Sequence, residues 1–135
     1  MKSGETALSE VDPTVTESTA KPDLEGWFTA VRAAEDKQAK DIIILDLRGV
    51  TSFTDYFVIC TGNNQRQVQT IADEIDRQLR LQGDRAISVE GYTQGEWVLA
   101  DYGDFLVHVF SQQAREFYDL ERLWRNAKPV ALPAA

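Results

Sequence analysis

"EGYTQGEWVLADYGDFLVHVF", residues 90 to 110, contains two alternating runs joined by a Gly-Asp link. Successive side chains of a strand point to opposite faces. "EWVLADY" (96–102) therefore sets Trp97, Leu99 and Asp101 against Glu96, Val98, Ala100 and Tyr102. "FLVHVFS" (105–111) sets Phe105, Val107 and Val109 against Leu106, His108 and Phe110. The links "YTQG" and "GD" are short enough for hairpins, so with "RAISVEG" (85–91) these runs predict an antiparallel set. Neither face is plainly polar. Helices on both faces would account for this, and so would helices on one face with an apolar partner surface on the other.

Upstream, "DIIILDLR" (41–48) and "YFVICTG" (56–62) are rich in β-branched and aromatic residues and read as two buried strands. "NNQRQVQTIADEIDRQLRLQG" (63–83) then places Val68, Ile71, Ala72, Ile75 and Leu79 on one face of a helix. Asn63 or Asn64 is its expected N-cap and Gly83 its expected C-cap. Trp27, Ala30, Val31 and Ala34 recur at helical spacing in a first helix ending near Lys40. A last helix, about 112 to 127, carries Phe117, Leu120, Leu123, Trp124 and Ala127 on one side and is stopped by Pro129. The order α-β-β-α-β-β-β-α predicts an α/β (α+β) fold, a mixed sheet of about five strands flanked by helices. The central strand-helix-strand passage supplies a parallel pair. Residues 23–128 form the single domain of this reading. Residues 1–22, rich in Thr, Ser and Glu, bury too little apolar surface to order and are expected to be a disordered acidic tail. Residues 129–135 are a short C-terminal tail.

The formal net charge is −8, and it is not confined to that tail. Residues 41–135 carry 9 Lys or Arg against 14 Asp or Glu. Such a surface repels phosphate, which argues against nucleic acid as the main partner and for a basic protein. The single cysteine, Cys60, cannot form an internal disulfide and fits a reducing compartment. One Cys and one His do not supply the usual zinc ligand set. No apolar run approaches the length of a membrane span. The acidic N-terminus is the reverse of an Arg-rich mitochondrial presequence, so a cytoplasmic protein is expected.

The catalytic candidates are weak. His108 lies between valines in a strand, where a core or interface role is the ordinary one. A Cys60–His108 dyad would need a third, orienting group, and none is evident. "CTGNNQRQV" has the strand–turn–helix form that cradles phosphate, without the Gly spacing of a nucleotide fingerprint. Asp101 and Asp104 straddle a turn at Gly103 rather than forming a metal-binding pair. On the last helix, Asp119–Arg122 and Glu121–Arg125 read as surface ion pairs. Tyr118, off the apolar stripe, reads as an exposed contact.

Three stretches, "TDYFVICTGNNQRQV", "EG…GEWVLADYGDFLVHVF" and "REFYDLERLW", together resemble the ribosomal silencing factor family, also called Iojap-like, over about Trp27 to Ala127. The resemblance implies a fold similar to nucleotidyltransferases without their metal-binding carboxylates, hence no catalysis, cofactor or metal. It further implies binding to the fourteenth ribosomal protein of the 50S-type large subunit at the face where the subunits meet. That would block joining of the small subunit when nutrients are short, with little nucleic-acid contact. Organellar relatives act in large-subunit assembly, so the missing presequence suggests a bacterial protein, and a homodimer is implied when the protein is free. The family's contact residues carry over to Trp97, Leu99, Asp101 and Tyr102. Asp104 and Glu96 would meet a basic surface, and His108, Arg115 and Tyr118 are further candidates. The alternatives are a large-subunit assembly adaptor and a nucleotidyl or phosphoryl transferase using "TGNN" and the aspartates.

Overall fold

The computed structural model describes residues 25–132; the expected tail at 1–22 lies outside them. In chain order the elements are α1 (Gly26–Asp36), β1 (Lys40–Asp46), β2 (Tyr56–Gly62), α2 (Gln65–Leu81) and β3 (Ser88–Glu90). There follow β4 (Trp97–Asp101), β5 (Phe105–Ser111), α3 (Gln112–Tyr118), α4 (Leu120–Leu123) and β6 (Lys128–Val130). One mixed sheet runs β3-β4-β5-β2-β1-β6. Among the described residues only β2 and β5 pair in parallel; the other neighbours are antiparallel.

The parallel partner of β2 is thus β5, not the strand that directly follows α2. Burial explains the choice. β3 is three residues long and exposed throughout, which suits an edge. β5 buries Phe105, Val107 and Val109 on one face and His108 and Phe110 on the other, which suits the centre of a sheet.

The two faces are covered unequally. On one, α1 and α2 lie over Ile44, Val58, Cys60, Val107 and Val109. The α2 stripe is as the spacing predicts, with Val68, Ile71, Ile75 and Leu79 buried. Asn64 is its cap, its side chain accepting from the Gln67 N–H at 2.8 Å, and Gly83 follows the C-terminus at φ +86°. On the other face, Leu45, Phe57, Ile59 and Phe110 pack against Ala114, Leu120 and Ala127 from α3, α4 and the segment after them. Because Ile59 pairs with His108 and Cys60 with Val109, Cys60 and His108 point to opposite faces and form no dyad.

The C-terminal region departs from expectation. The sheet has six strands, because Lys128–Val130 pairs with Ile44, Leu45 and Asp46 of β1. Pro129 stops no helix; it sits in an edge strand, where its missing N–H costs least. The single last helix is instead broken at Asp119, whose left-handed backbone (φ 48°, ψ 55°) turns the chain between α3 and α4. The break rotates the expected apolar stripe out of register. Leu120 and Ala127 stay buried, while Phe117 and Leu123 are 79% and 72% exposed.

The hairpin before β4 depends on Gly91. It has φ +81°, and a Cβ there would collide with the Trp97 carbonyl oxygen. Gly91→Ala should therefore lose at least about 2 kcal/mol of unfolding free energy in urea, with an unchanged denaturant slope.

Candidate functional site

Among the described residues, the long helices leave one sheet face chiefly to α3 and α4, which are too short to cover it. From β4, Trp97, Leu99 and Asp101 lie half-buried on this face, as alternation requires. Leu106 is half-buried beside them, and His108 and Phe110 lie beneath. Ser111 ends β5 and caps α3, its hydroxyl accepting the Ala114 N–H at 3.1 Å. That direct strand-to-helix junction brings Tyr118 over Trp97, with ring centroids 4.5 Å apart. Glu96 stands exposed at the rim and accepts a hydrogen bond from the Ser111 hydroxyl at 3.1 Å. The result is a shallow surface with an aromatic and aliphatic centre and carboxylates at its edge.

Two sequence candidates lie beneath this surface rather than on it. Arg115 is buried: its guanidinium donates to the Thr61 hydroxyl at 2.7 Å and twice to one oxygen of Glu121, at 2.7 and 3.0 Å. This latch spans the break at Asp119 and ties α3 and α4 to the end of β2. Burial pushes the Glu121 carboxyl up, but the hydrogen bonds and charge of Arg115, with a backbone N–H, together leave the group below its ordinary value. The ion pair thus joins Arg115 to Glu121, where the sequence suggested surface pairs of Asp119 with Arg122 and Glu121 with Arg125. His108 is 3% exposed. Its Nδ1 accepts the Trp97 indole N–H at 3.1 Å. Since an indole nitrogen only donates, the imidazole carries its proton on Nε2. Among the described residues, that Nε2 is the only buried side-chain nitrogen or oxygen without a partner.

Two more candidates belong to the other side. The Tyr102 hydroxyl donates to Asp76 of α2 at 3.1 Å, and its ring stacks on Phe105 at 5.2 Å. Alternation had already set Tyr102 opposite Trp97, and the turn at Gly103 does not rotate it back. Asp104 lines a cleft with Trp27, Tyr56 and Phe105 at the α1 side of the sheet. Trp97, Leu99, Asp101, Tyr118 and Glu96 are therefore the candidates that the fold brings together.

The same face also displays residues the sequence analysis passed over. Phe53, 57% exposed, sits in the loop after β1 and meets Trp124 edge-on at 5.8 Å. An aromatic among Ser and Thr in a turn was the available signal. Phe117 and Leu123 had none, because only the break at Asp119 turns them outward.

Elsewhere the chemical options narrow. The Asn63 N–H is taken by the Gln67 side chain and the Gln67 N–H by Asn64, so the "TGNN" turn spends those donors internally. Burial pushes the Cys60 thiol up to about 12, against a smaller downward pull from Arg115. Among the described residues, no group of three or more His, Cys, Asp or Glu is placed to hold a metal ion. No helix among them is long and apolar enough to cross a membrane.

Residues 20–135 match the family model described as "Ribosomal silencing factor during starvation". The chain belongs to the ribosomal silencing factor family. It is 46% identical over 102 residues to the ribosomal silencing factor RsfS of Bacillus subtilis, a span covering 76% of this chain and 86% of that one. It is 44% identical over 103 residues to the RsfS of Halalkalibacterium halodurans, covering 76% and 88%. A crystal structure from Bacillus halodurans superposes with a TM-score of 0.70 at 42% identity, covering 77% of this chain and 94% of that chain.

Desolvation in this face lowers the His108 pKa from 6.5 to about 3. The folded state therefore favours the neutral ring. Its contribution to stability is full above pH 6.5 and is lost as pH falls toward 3. His108→Leu should accordingly lose less stability than the wild type over that window, as read by urea unfolding at stepped pH.

Proposed function

We propose that this protein is a non-catalytic translational repressor of the bacterial cytoplasm that docks on the large ribosomal subunit. The surface of Trp97, Leu99 and Asp101, left uncovered by the two long helices, is the observation that carries this reading. An aromatic anchor next to an aliphatic one in a partly desolvated centre is what concentrates binding energy in protein interfaces. Asp101 and Glu96 at the edge would add orientation and on-rate toward a basic protein more than raw affinity. The net charge of −8 favours a protein landing site over bare RNA.

The partner in this reading is the fourteenth protein of the large subunit, at the face where the subunits meet. A body seated there excludes the small subunit by volume alone, so repression under nutrient limitation needs no turnover and no cofactor. Tyr118 extends the contact. His108 and Arg115 shape it from below, and Tyr102 and Asp104 take no part. When the ribosome is absent, the same apolar face would be covered in a homodimer.

Sedimentation of the purified protein with isolated large subunits, small subunits and whole ribosomes tests this directly. The expected result is co-migration with large subunits alone and loss of their reassociation with small subunits. Co-migration without any effect on reassociation would favour an assembly adaptor. No co-migration with any particle would remove the link to the ribosome.

Leu99→Asp is the cleanest disabling change, because Leu99 is half-buried and, unlike Trp97 and Leu106, is not packed against either core cluster. It should weaken large-subunit binding by about 2 kcal/mol or more while leaving the unfolding midpoint near that of the wild type. A matched loss of stability would place Leu99 in the core and the docking face elsewhere.

A further inference from the structure

The orientation of the Trp97 ring is set from inside the core. The β4–β5 register pairs Trp97 with Phe110 and Leu99 with His108, so His108 is the diagonal neighbour of Trp97 on this face. The indole lies against Phe110 with centroids 5.0 Å apart and against Tyr118 at 4.5 Å. Both contacts are apolar and tolerate rotation of the ring. The bond from the indole N–H to His108 Nδ1 at 3.1 Å does not, because it fixes where one edge of the ring points.

His108 is a poor choice for packing alone. It sits among Phe57 at 4.5 Å, Phe110 and Trp97. Its Nε2–H is buried with no partner. An orphaned donor of this kind works against the folded state, and a phenylalanine or leucine would carry no such penalty. What His108 provides that those residues lack is one well-placed acceptor, and that acceptor is spent on Trp97.

We infer that His108 is a positioning residue: it holds the Trp97 indole in the orientation that the docking partner receives. The inference rests on the docking reading above and adds how that surface is organised before binding. In the free protein the indole N–H is already satisfied, so the ring enters the interface ordered and little rotational entropy is lost on docking.

A double-mutant cycle tests this, with affinity for purified bacterial large subunits as one readout and the indole N–H resonances of the free protein as the other. The Trp97 resonance is identified by its disappearance in Trp97→Phe. His108→Phe should keep or raise the melting temperature, shift the Trp97 resonance and speed its exchange with solvent. It should also weaken large-subunit binding at least about tenfold. In the Trp97→Phe background, which has no indole donor, the same His108→Phe change should have little further effect on affinity. His108→Gln retains an acceptor and should recover part of both the protection and the affinity; it also serves if His108→Phe does not fold.

Unchanged affinity in His108→Phe, or an equal loss in both backgrounds, overturns the inference. So does a wild-type Trp97 indole that exchanges as fast as a fully exposed one. Failure of the wild type to bind large subunits is a different outcome: it removes the docking reading, and the role of His108 in it falls as well. Wild-type binding with a flat cycle removes only the role of His108.

Discussion

The parallel ladder from Tyr56–Phe105 to Gly62–Ser111 is the constraint on which the rest of the molecule depends. Parallel strands cannot be joined by a tight turn, so the chain between them must leave the sheet and return. Here it leaves as α2 and returns through the β3–β4–β5 meander. That route places α2 on one face, where it packs with α1 over Val58, Cys60, Val107 and Val109. Both strands of the ladder are then buried on both faces, and the strands outside them become progressively more exposed.

One consequence is an asymmetry of layers. The face beneath α1 and α2 is closed by long amphipathic helices. Among the described residues, the opposite face receives two short helices, the segment after them, and Leu47 and Phe53 from the loop after β1. Leu45, Phe57, Ile59 and Phe110 are covered there, but among the described residues the β4 end of the sheet stays half-exposed. The Arg115 latch makes the most of this short segment. By bonding Thr61 and Glu121 together, it holds the turn at Asp119 closed and keeps Tyr118 against Trp97. A buried cation with its acceptors in place is costly to disturb, so the short helices are held as part of the face.

The same asymmetry bears on how a chain of net charge −8 could serve the docking proposed above. In that docking, the half-buried Trp97 and Leu99 form an apolar centre, and Glu96 and Asp101 at its margin would favour a basic protein surface over phosphate. Polar groups that resemble catalytic ones are used inside the fold: His108 to hold a tryptophan, Arg115 to hold a helix break, and the Asn64 turn to cap α2.

Much of this was legible in the residue order. Alternation over residues 97–110 assigned the side chains of β4 and β5 to the faces on which they pack, because period two is enforced by the strand backbone whatever its neighbours; Glu96, just outside β4, is the exception. The helical spacing of Val68, Ile71, Ile75 and Leu79 settled α2 for the same local reason. Three wordy motifs were enough to indicate the family. What the residue order left open was which strand pairs with β2 and how much of each face is covered, since both depend on competition among segments far apart in the chain. The exposure of Phe117 and Leu123 and the burial of Arg115 follow from one residue, Asp119, adopting a left-handed backbone that helical periodicity does not anticipate. Local chemistry therefore determined the elements and their faces. Tertiary packing decided which apolar side chains stay accessible among the described residues, because only the assembled sheet shows which of them another segment covers.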